Sequence, residues 1–183
     1  VEDGVTYNTP VQAAIEVIED NVGEISITLN ETPYESGTII SVDDDYELVV
    51  NVTDRAGNEA QVTTTFTVDT TAPDIPVIVE PQDGAVIDGQ ETLVTGSTES
   101  NALVRIVVGD YQNTTVATAE GLFSFANVPL EEGDNTISVT ATDSADNTSE
   151  AAQITVKSQT VSEVETVGVI NTDADGRVLV GVA

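Results

Sequence analysis

The chain has 183 residues, with 33 acidic side chains against 4 basic ones and a formal charge of −29 at neutral pH. A surface this acidic repels nucleic-acid phosphates and anionic membrane faces, both of which recruit Lys and Arg. With no His and no Cys, it offers no imidazole base, thiolate nucleophile, thiolate metal site or disulfide framework. Hydrophobic residues make up 39% of the chain, too many for a disordered acidic tract. Val and Thr contribute 29 and 26 residues, and β-branched side chains at that density favour pleated strands over helices. The expectation is an all-β protein with no membrane insertion, since no run of about 18 apolar residues occurs. The start at Val1, without Met or a leader, suggests an excised segment whose targeting signals lie elsewhere.

Before Glu24 the sequence defines no clear strand. Leu48, Val50 and Val52 then alternate with Val49 and Asn51, which predicts a strand with one apolar face. The loop Asp54-Arg-Ala-Gly-Asn58 follows. After it, Val62, Thr64, Phe66 and Val68 point one way while Thr63, Thr65 and Thr67 point the other. The segment Asp69-Thr-Thr-Ala-Pro73-Asp-Ile-Pro76 reads as a short, stiff connector, because proline cannot donate to a ladder and holds its predecessor extended. Beyond it, strands are predicted at 77–79, 92–95, 102–108, 115–119 and 122–126, separated by turns such as Pro81-Gln-Asp-Gly84, Glu120-Gly121 and Glu131-Glu-Gly-Asp134.

The close of this second stretch repeats the close of the first. Asn51-Val-Thr-Asp-Arg-Ala-Gly-Asn58 returns as Thr140-Ala-Thr-Asp-Ser-Ala-Asp-Asn147. Ile137, Val139 and Ala141 alternate before it, and Ile154 and Val156 follow in the place of the Val62–Val68 strand. Seven strands in about 85 residues, with frequent turns, fit a seven-stranded β-sandwich. The predicted organisation is one sandwich over residues 1–72, a second over 73–158, and a segment 159–183, too short for another sandwich, that is a C-terminal strand or hairpin or the start of a third module.

The string Asp54-Arg-Ala-Gly-Asn58, followed by Phe66-Thr-Val-Asp-Thr-Thr-Ala-Pro73, resembles the end of one bacterial immunoglobulin-like domain and its junction to the next. Pro81-Gln-Asp-Gly84, Gly121-Leu-Phe-Ser-Phe125, Pro129-Leu-Glu-Glu-Gly133 and Asp143-Ser-Ala-Asp-Asn147 look like landmarks of the same superfamily, and Leu29-Asn-Glu-Thr-Pro-Tyr34 with Ser36-Gly-Thr38 fits a variant. The resemblance runs from about residue 4 to residue 157. It implies tandem sandwiches in a large extracellular or cell-surface protein, with a stalk or adhesive role and no catalysis. The implied partners are neighbouring Ig-like domains, surface glycans or proteins, or copies of the chain itself. Asp146 departs from the pattern, standing where the first copy has Gly57. That exchange is expected to alter the loop backbone and add an oxygen ligand.

Calcium takes six to eight oxygen ligands, and the loops offer carboxylates and Asn carbonyls. Strand parity places the Asp143–Asn147 loop at the end where the connector enters, facing Asp69 and Asp74, with Glu99 at the same end. Asp69, Asp74, Glu99, Asp143, Asp146 and Asn147 thus form a candidate calcium site ligated by both modules. Asp54 and Asn58 are its counterpart at the other end of the first module. Against this stands a local reading, in which Asp and Asn simply close the turn by bonding nearby backbone N–H groups.

Asn171-Thr-Asp-Ala-Asp-Gly176 has the opening spacing of an EF-hand loop, but its twelfth position is Val182, so the bidentate acid is missing. Val167, Val169, Val178 and Val180 instead predict a hairpin with an Asp-Gly turn. Asn30, Asn51, Asn113 and Asn147 match N-x-Ser/Thr, a pattern that arises readily by chance in a Thr-rich chain. Lys157, the single lysine, reads as solvated. Two alternatives to the adhesive stalk remain: a spacer or carbohydrate-binding module of a secreted polysaccharide-degrading enzyme, and a surface-layer or filament subunit joined by strand addition.

Overall fold

The computed structural model describes residues 1–160 and the segments 170–172 and 178–180. Among the described residues there is no helix, hence none long and apolar enough to cross a membrane. The all-β expectation holds.

The first module contains β1 (Val5–Tyr7), β2 (Val11–Gln12), β3 (Val22–Leu29), β4 (Thr32–Pro33), β5 (Ile39–Ile40), β6 (Asp44–Asp54) and β7 (Glu59–Val68). Five of them form a sheet in the order β1-β7-β6-β3-β4, while β2 and β5 make a separate pair. The hairpin β6–β7 is the one predicted from alternation, with Leu48 opposite Thr64 and Val50 opposite Val62. Its apolar face buries Leu48, Phe66 and Val68 together with Ala13 and Ile40. Phe66 stacks on Tyr46 at 5.3 Å and meets Tyr7 edge-on at 6.2 Å, both favourable ring geometries. The three aromatics thus sit at the end of the sheet away from Asp54. Nearer Asp54 the cover thins, with Val50 and Val52 half-buried and Val62 62% exposed. The stretch before Glu24 gave no strand signal because β1 and β2 are three and two residues long, shorter than any periodicity can register.

The second module contains β8 (Val77–Glu80), β9 (Val86–Asp88), β10 (Glu91–Ser97), β11 (Leu103–Val108), β12 (Tyr111–Val116), β13 (Leu122–Pro129), β14 (Gly133–Thr142) and β15 (Ala152–Gln159). Two sheets result, ordered β13-β10-β8 and β12-β11-β14-β15-β9. The five-stranded sheet repeats the first module's strand order, with β9 parallel to β15 as β1 is parallel to β7. The strand count is therefore eight, one more than expected, because β9 is a short parallel strand whose partner lies far along the chain. A second difference concerns β12. It starts at Tyr111 rather than near Thr115, since Gly109 and Asp110 alone turn the chain between the paired Val108 and Tyr111. Residues Ala117 to Ala119 leave the sheet, and the Gly121 N–H donates to the Thr118 carbonyl at 2.8 Å as the chain crosses to the other layer.

Alternation in β10, β11, β13, β14 and β15 fills the space between these layers. Val94, Val104, Ile106, Val128, Ile137, Val139 and Val156 are all fully buried. Burying side chains of this size stabilises by about 1.5–3 kcal/mol each before entropy is counted. Gly96 permits the closest approach in this core, since a Cβ there would overlap the Val77 carbonyl oxygen and the Phe123 ring. In the C-terminal segment, β16 (Ile170–Thr172) and β17 (Val178–Val180) pair antiparallel, Ile170 opposite Val180. Val167, Val169, Val182 and the Asp-Gly turn expected there lie outside the described residues.

Candidate functional site at the junction

The two copies of the repeated loop are closed by the same chemistry. The Asp54 carboxylate accepts from the N–H groups of Ala56 and Asn58 through Oδ1, both at 2.8 Å, and from Asn58 Nδ2 through Oδ2 at 2.7 Å. The Asp143 carboxylate accepts from Ala145 N at 2.8 Å, Asn147 N at 2.9 Å and Asn147 Nδ2 at 3.0 Å. Each aspartate thus acts as an internal acceptor that holds the β-turn beyond its strand. The Asn58 side-chain and backbone donors hold the Asp54 carboxyl below the ordinary aspartate range.

Asp146 does not alter the loop backbone, contrary to the expectation from its exchange with Gly57. It takes φ = 68°, against 89° for Gly57. The closing bond from Asp143 N to Asn147 O is 3.0 Å, against 2.9 Å from Asp54 N to Asn58 O. The aspartate accepts a left-handed conformation that glycine occupies without steric cost.

One bond distinguishes the second loop from the first. Asn147 Nδ2 also donates to the Asp69 carbonyl at 2.8 Å, so the loop grips the connector as strand parity predicted. Pro73 and Pro76 within that connector are buried, which fixes its path. Glu99 lies at the same end of the second module, because the register pairs Ser97 with Val77 and Leu103 with Thr142. Asp74, Glu99 and Asp146 are exposed there. Among the described residues no three acidic side chains are grouped so as to hold a metal ion. As arranged, the Asp143 carboxylate accepts from the N–H donors that close its turn.

Three aspartates that the sequence did not single out do comparable work. Asp43 accepts from Thr70 N at 2.9 Å and Thr70 Oγ1 at 2.8 Å, and its second oxygen accepts from Thr71 Oγ1 at 2.5 Å. It therefore anchors the start of the connector to the first module, and the Thr71 and Thr70 donors lower its pKa. Asp3 accepts from Thr65 N at 2.8 Å, and Asp83 accepts from Thr155 N at 2.8 Å. In both places the following glycine N–H donates to the same threonine's carbonyl at 2.7 Å. Each Asp-Gly pair thus locks the first parallel strand of its module, β1 or β9, onto the last. The repeat of Asp3-Gly4 as Asp83-Gly84, each just ahead of a short β-branched stretch, was the available signal. Asp43 had none, because its partners lie 27 and 28 positions away.

Other expectations concern side chains at the surface. Lys157 is exposed, as a solvated lysine should be. The amides of Asn30, Asn113 and Asn147 donate within the fold, to Asp45 O, Tyr111 Oη and Asp69 O respectively.

Residues 76–158 match the family described as bacterial Ig domain. No curated protein sequence matches the chain. Among solved structures, it is similar to the fibronectin(III)-like modules of Clostridium thermocellum CbhA, with TM-score 0.48 and 17% identity over 86% of this chain and 91% of that one. A tetra-tandem repeat in the extending region of a large adhesion protein gives TM-score 0.41 and 19% identity, over 92% of this chain and 56% of that one. A structure of a 1.5-MDa bacterial ice-binding adhesin gives 0.41 and 18%, over 79% and 55%. The chain therefore spans just over half the length of these two adhesin structures. Residues 76–158 thus match the bacterial Ig domain family in sequence, and the module ahead of them has a five-stranded sheet of the same strand order.

Proposed function

We propose that the chain is a non-catalytic structural and adhesive segment of a larger bacterial extracellular or cell-surface protein, in which it acts as a stalk. The observation that carries this reading is the built junction: the Asn147–Asp69 bond on one side, the Asp43 clamp on the other, and buried Pro73 and Pro76 between them. A connector anchored at both ends transmits orientation from one module to the next, which a spacer needs and a flexible tether lacks. Neighbouring Ig-like modules are the first partners in this proposal, and surface glycans or proteins are the targets the stalk presents. Small-angle scattering of the whole chain tests it. A single extended shape is expected, and a broad distribution of inter-module distances would overturn the stalk reading.

Calcium enters the proposal as an added stiffener of the same junction. Asp143, Asn147 and the Asp69 carbonyl already meet there, Asp74, Glu99 and Asp146 contribute exposed carboxylates, and Asp69 a half-buried one. An ion would take the place of the Asn147 amide as the bridge, while Asp54 and Asn58 would serve the other end of the first module. Calorimetric titration with calcium against a magnesium control, on the sample used for scattering, tests this part alone. No heat and no change of shape in millimolar calcium would remove it and leave the stalk intact.

A further inference from the structure

The acids are not spread evenly over the strands of the two modules. In the second module, β11, β12, β14 and β15 together carry one acid, Asp134, at the start of β14. In the first, the counterpart strands β3, β4, β6 and β7 carry six: Glu24, Asp44, Asp45, Glu47, Asp54 and Glu59. The low strand propensity of acids does not account for the difference, because both sheets have the same strand order and only one avoids them.

Cations take the place that the acids leave. Arg105 is exposed between the fully buried Val104 and Ile106, so it points outward from the second module's five-stranded sheet. It stands in a cross-strand row between Thr114 and Thr140, beside the next row of Gln112, Val107 and Ser138. Its one side-chain bond among the described residues runs from Nη2 to Gln112 Oε1, at 2.6 Å, which leaves most of its five donors unspent. Lys157 faces outward from the same sheet, between the buried Val156 and Ser158 and opposite Asp134. Two of the chain's four basic residues thus share one face. On the corresponding face of the first module, Glu24 and Glu59 flank Thr53 in one row, and Glu47 lies opposite Thr65. All three glutamates are exposed, and β3, β4, β6 and β7 hold no Lys or Arg.

We propose that the outward face of the β12-β11-β14-β15-β9 sheet is an interaction surface for a second copy of this chain, which docks on it through the acidic outward face of its β1-β7-β6-β3-β4 sheet. The faces are complementary in charge, and two twisted sheets pack face to face with their strands about 30° apart. Arg105 would meet a glutamate there, the carboxylate that its own face lacks, in the fork geometry that suits a guanidinium. Pairing two second-module faces would instead set cations against cations. Contact between unlike faces leaves one face of each sign open in a pair of copies, so further copies can add. Two chains of charge −29 repel at a distance, and screening over about 8 Å at physiological salt is what lets the faces meet. The proposal deepens the adhesive reading by naming a partner, and it does not depend on the stiffness of the junction, which the inter-module distances report separately.

Sedimentation equilibrium of the full chain at about 0.15 M salt tests this. Reversible self-association is expected, with a dissociation constant raised about tenfold or more by Arg105→Glu. The triple variant Glu24→Lys, Glu47→Lys, Glu59→Lys should weaken association as much, although it lowers the net negative charge and with it the general repulsion. Neither variant should associate alone, while an equimolar mixture of the two should, since each then meets a face of opposite sign. Arg55→Glu, in the exposed Asp54 loop, should change nothing. A chain that stays monomeric up to about 1 mM would overturn the proposal. So would association that Arg105→Glu leaves unchanged, or that the triple variant leaves unchanged, since the second copy would then dock through another surface.

Discussion

Replacing Asn147 with Ala, alongside the matching Asn58→Ala, isolates the junction from the loop that bears it. Both asparagines donate through Nδ2 to the aspartate of their own loop, at 3.0 Å to Asp143 and 2.7 Å to Asp54. Only Asn147 also donates to the connector, at 2.8 Å to the Asp69 carbonyl. Truncation leaves both backbone N–H bonds to the aspartates in place, because those need no side chain. The within-loop loss is therefore common to the two variants. What N147A loses in addition is one neutral hydrogen bond at a half-buried site, about 1 kcal/mol. For a domain of this size, about 1 kcal/mol corresponds to a fall in melting temperature of about 4–8 °C. Urea unfolding followed by far-UV circular dichroism measures the stability difference between the variants. Scattering on the same proteins should show N147A broadening the inter-module distance distribution while N58A leaves it unchanged. Equal losses of stability, with both distance distributions intact, would refute the claim that Asn147 couples the modules.

Asp146→Gly should stabilise the second module by about 0.5–1 kcal/mol, seen as a raised urea midpoint, because Asp146 holds φ = 68° at a place where the other loop has glycine. Gly96→Ala should destabilise it by about 3 kcal/mol or more, since the new Cβ overlaps the Val77 carbonyl and the Phe123 ring and would pry β8 from β10; denaturant unfolding reads this directly. Acid should weaken the first module. The carboxyls of Asp3, Asp43 and Asp54 are held below the ordinary aspartate range by hydrogen bonds from Thr65, from Thr71 and Thr70, and from Asn58. A depressed folded-state pKa contributes stability that is complete above the unfolded value and lost as the pH falls through the folded one. Melting temperature should therefore hold steady above about pH 5 and fall below the ordinary aspartate range, with a shallower fall in Asp43→Asn. Monovalent salt should raise the melting temperature of both modules by screening repulsion between exposed acids over a Debye length of about 8 Å.

What could be read from the sequence was local. The Asp54 and Asp143 loops were legible because an aspartate and an asparagine four residues on contain the whole turn chemistry. The β6–β7 and β14–β15 faces followed from period-two alternation, and the connector from its prolines. The missed features depend on distant partners. β1 and β9 are three-residue strands whose existence rests on pairing with β7 and β15, about sixty to seventy positions away. Asp3, Asp43 and Asp83 looked like ordinary surface acids until folding brought Thr65, Thr70 and Thr155 beside them. Alternation also overstated the cover of the first module's sheet. Val62 has the pattern of a core residue, yet burial depends on what lies opposite, and Val62 is 62% exposed.

The excess of acid takes on a structural role in this light. With 4 basic residues for 33 acids, most carboxylates cannot find a cation, and the fold gives several of them hydroxyl and amide donors instead. Asp3 meets Thr65, Asp43 meets Thr70 and Thr71, Asp45 meets the Thr67 hydroxyl at 2.6 Å, and Asp83 meets the Thr155 amide. Bonds to a charged acceptor are shorter and stronger than neutral ones, and they act at contact, so salt screens them far less than it screens repulsion between separated charges. The abundance of Thr is then explained twice over. Its β-branch suits the strands, and its hydroxyl gives a strand's exposed face a donor for aspartates carried by neighbouring turns and strands. A chain built this way keeps its long-range clamps in saline surroundings while its net charge favours solubility, and the clamps fall at the points a series of modules must hold fixed: the short parallel strand of each module and the connector between them.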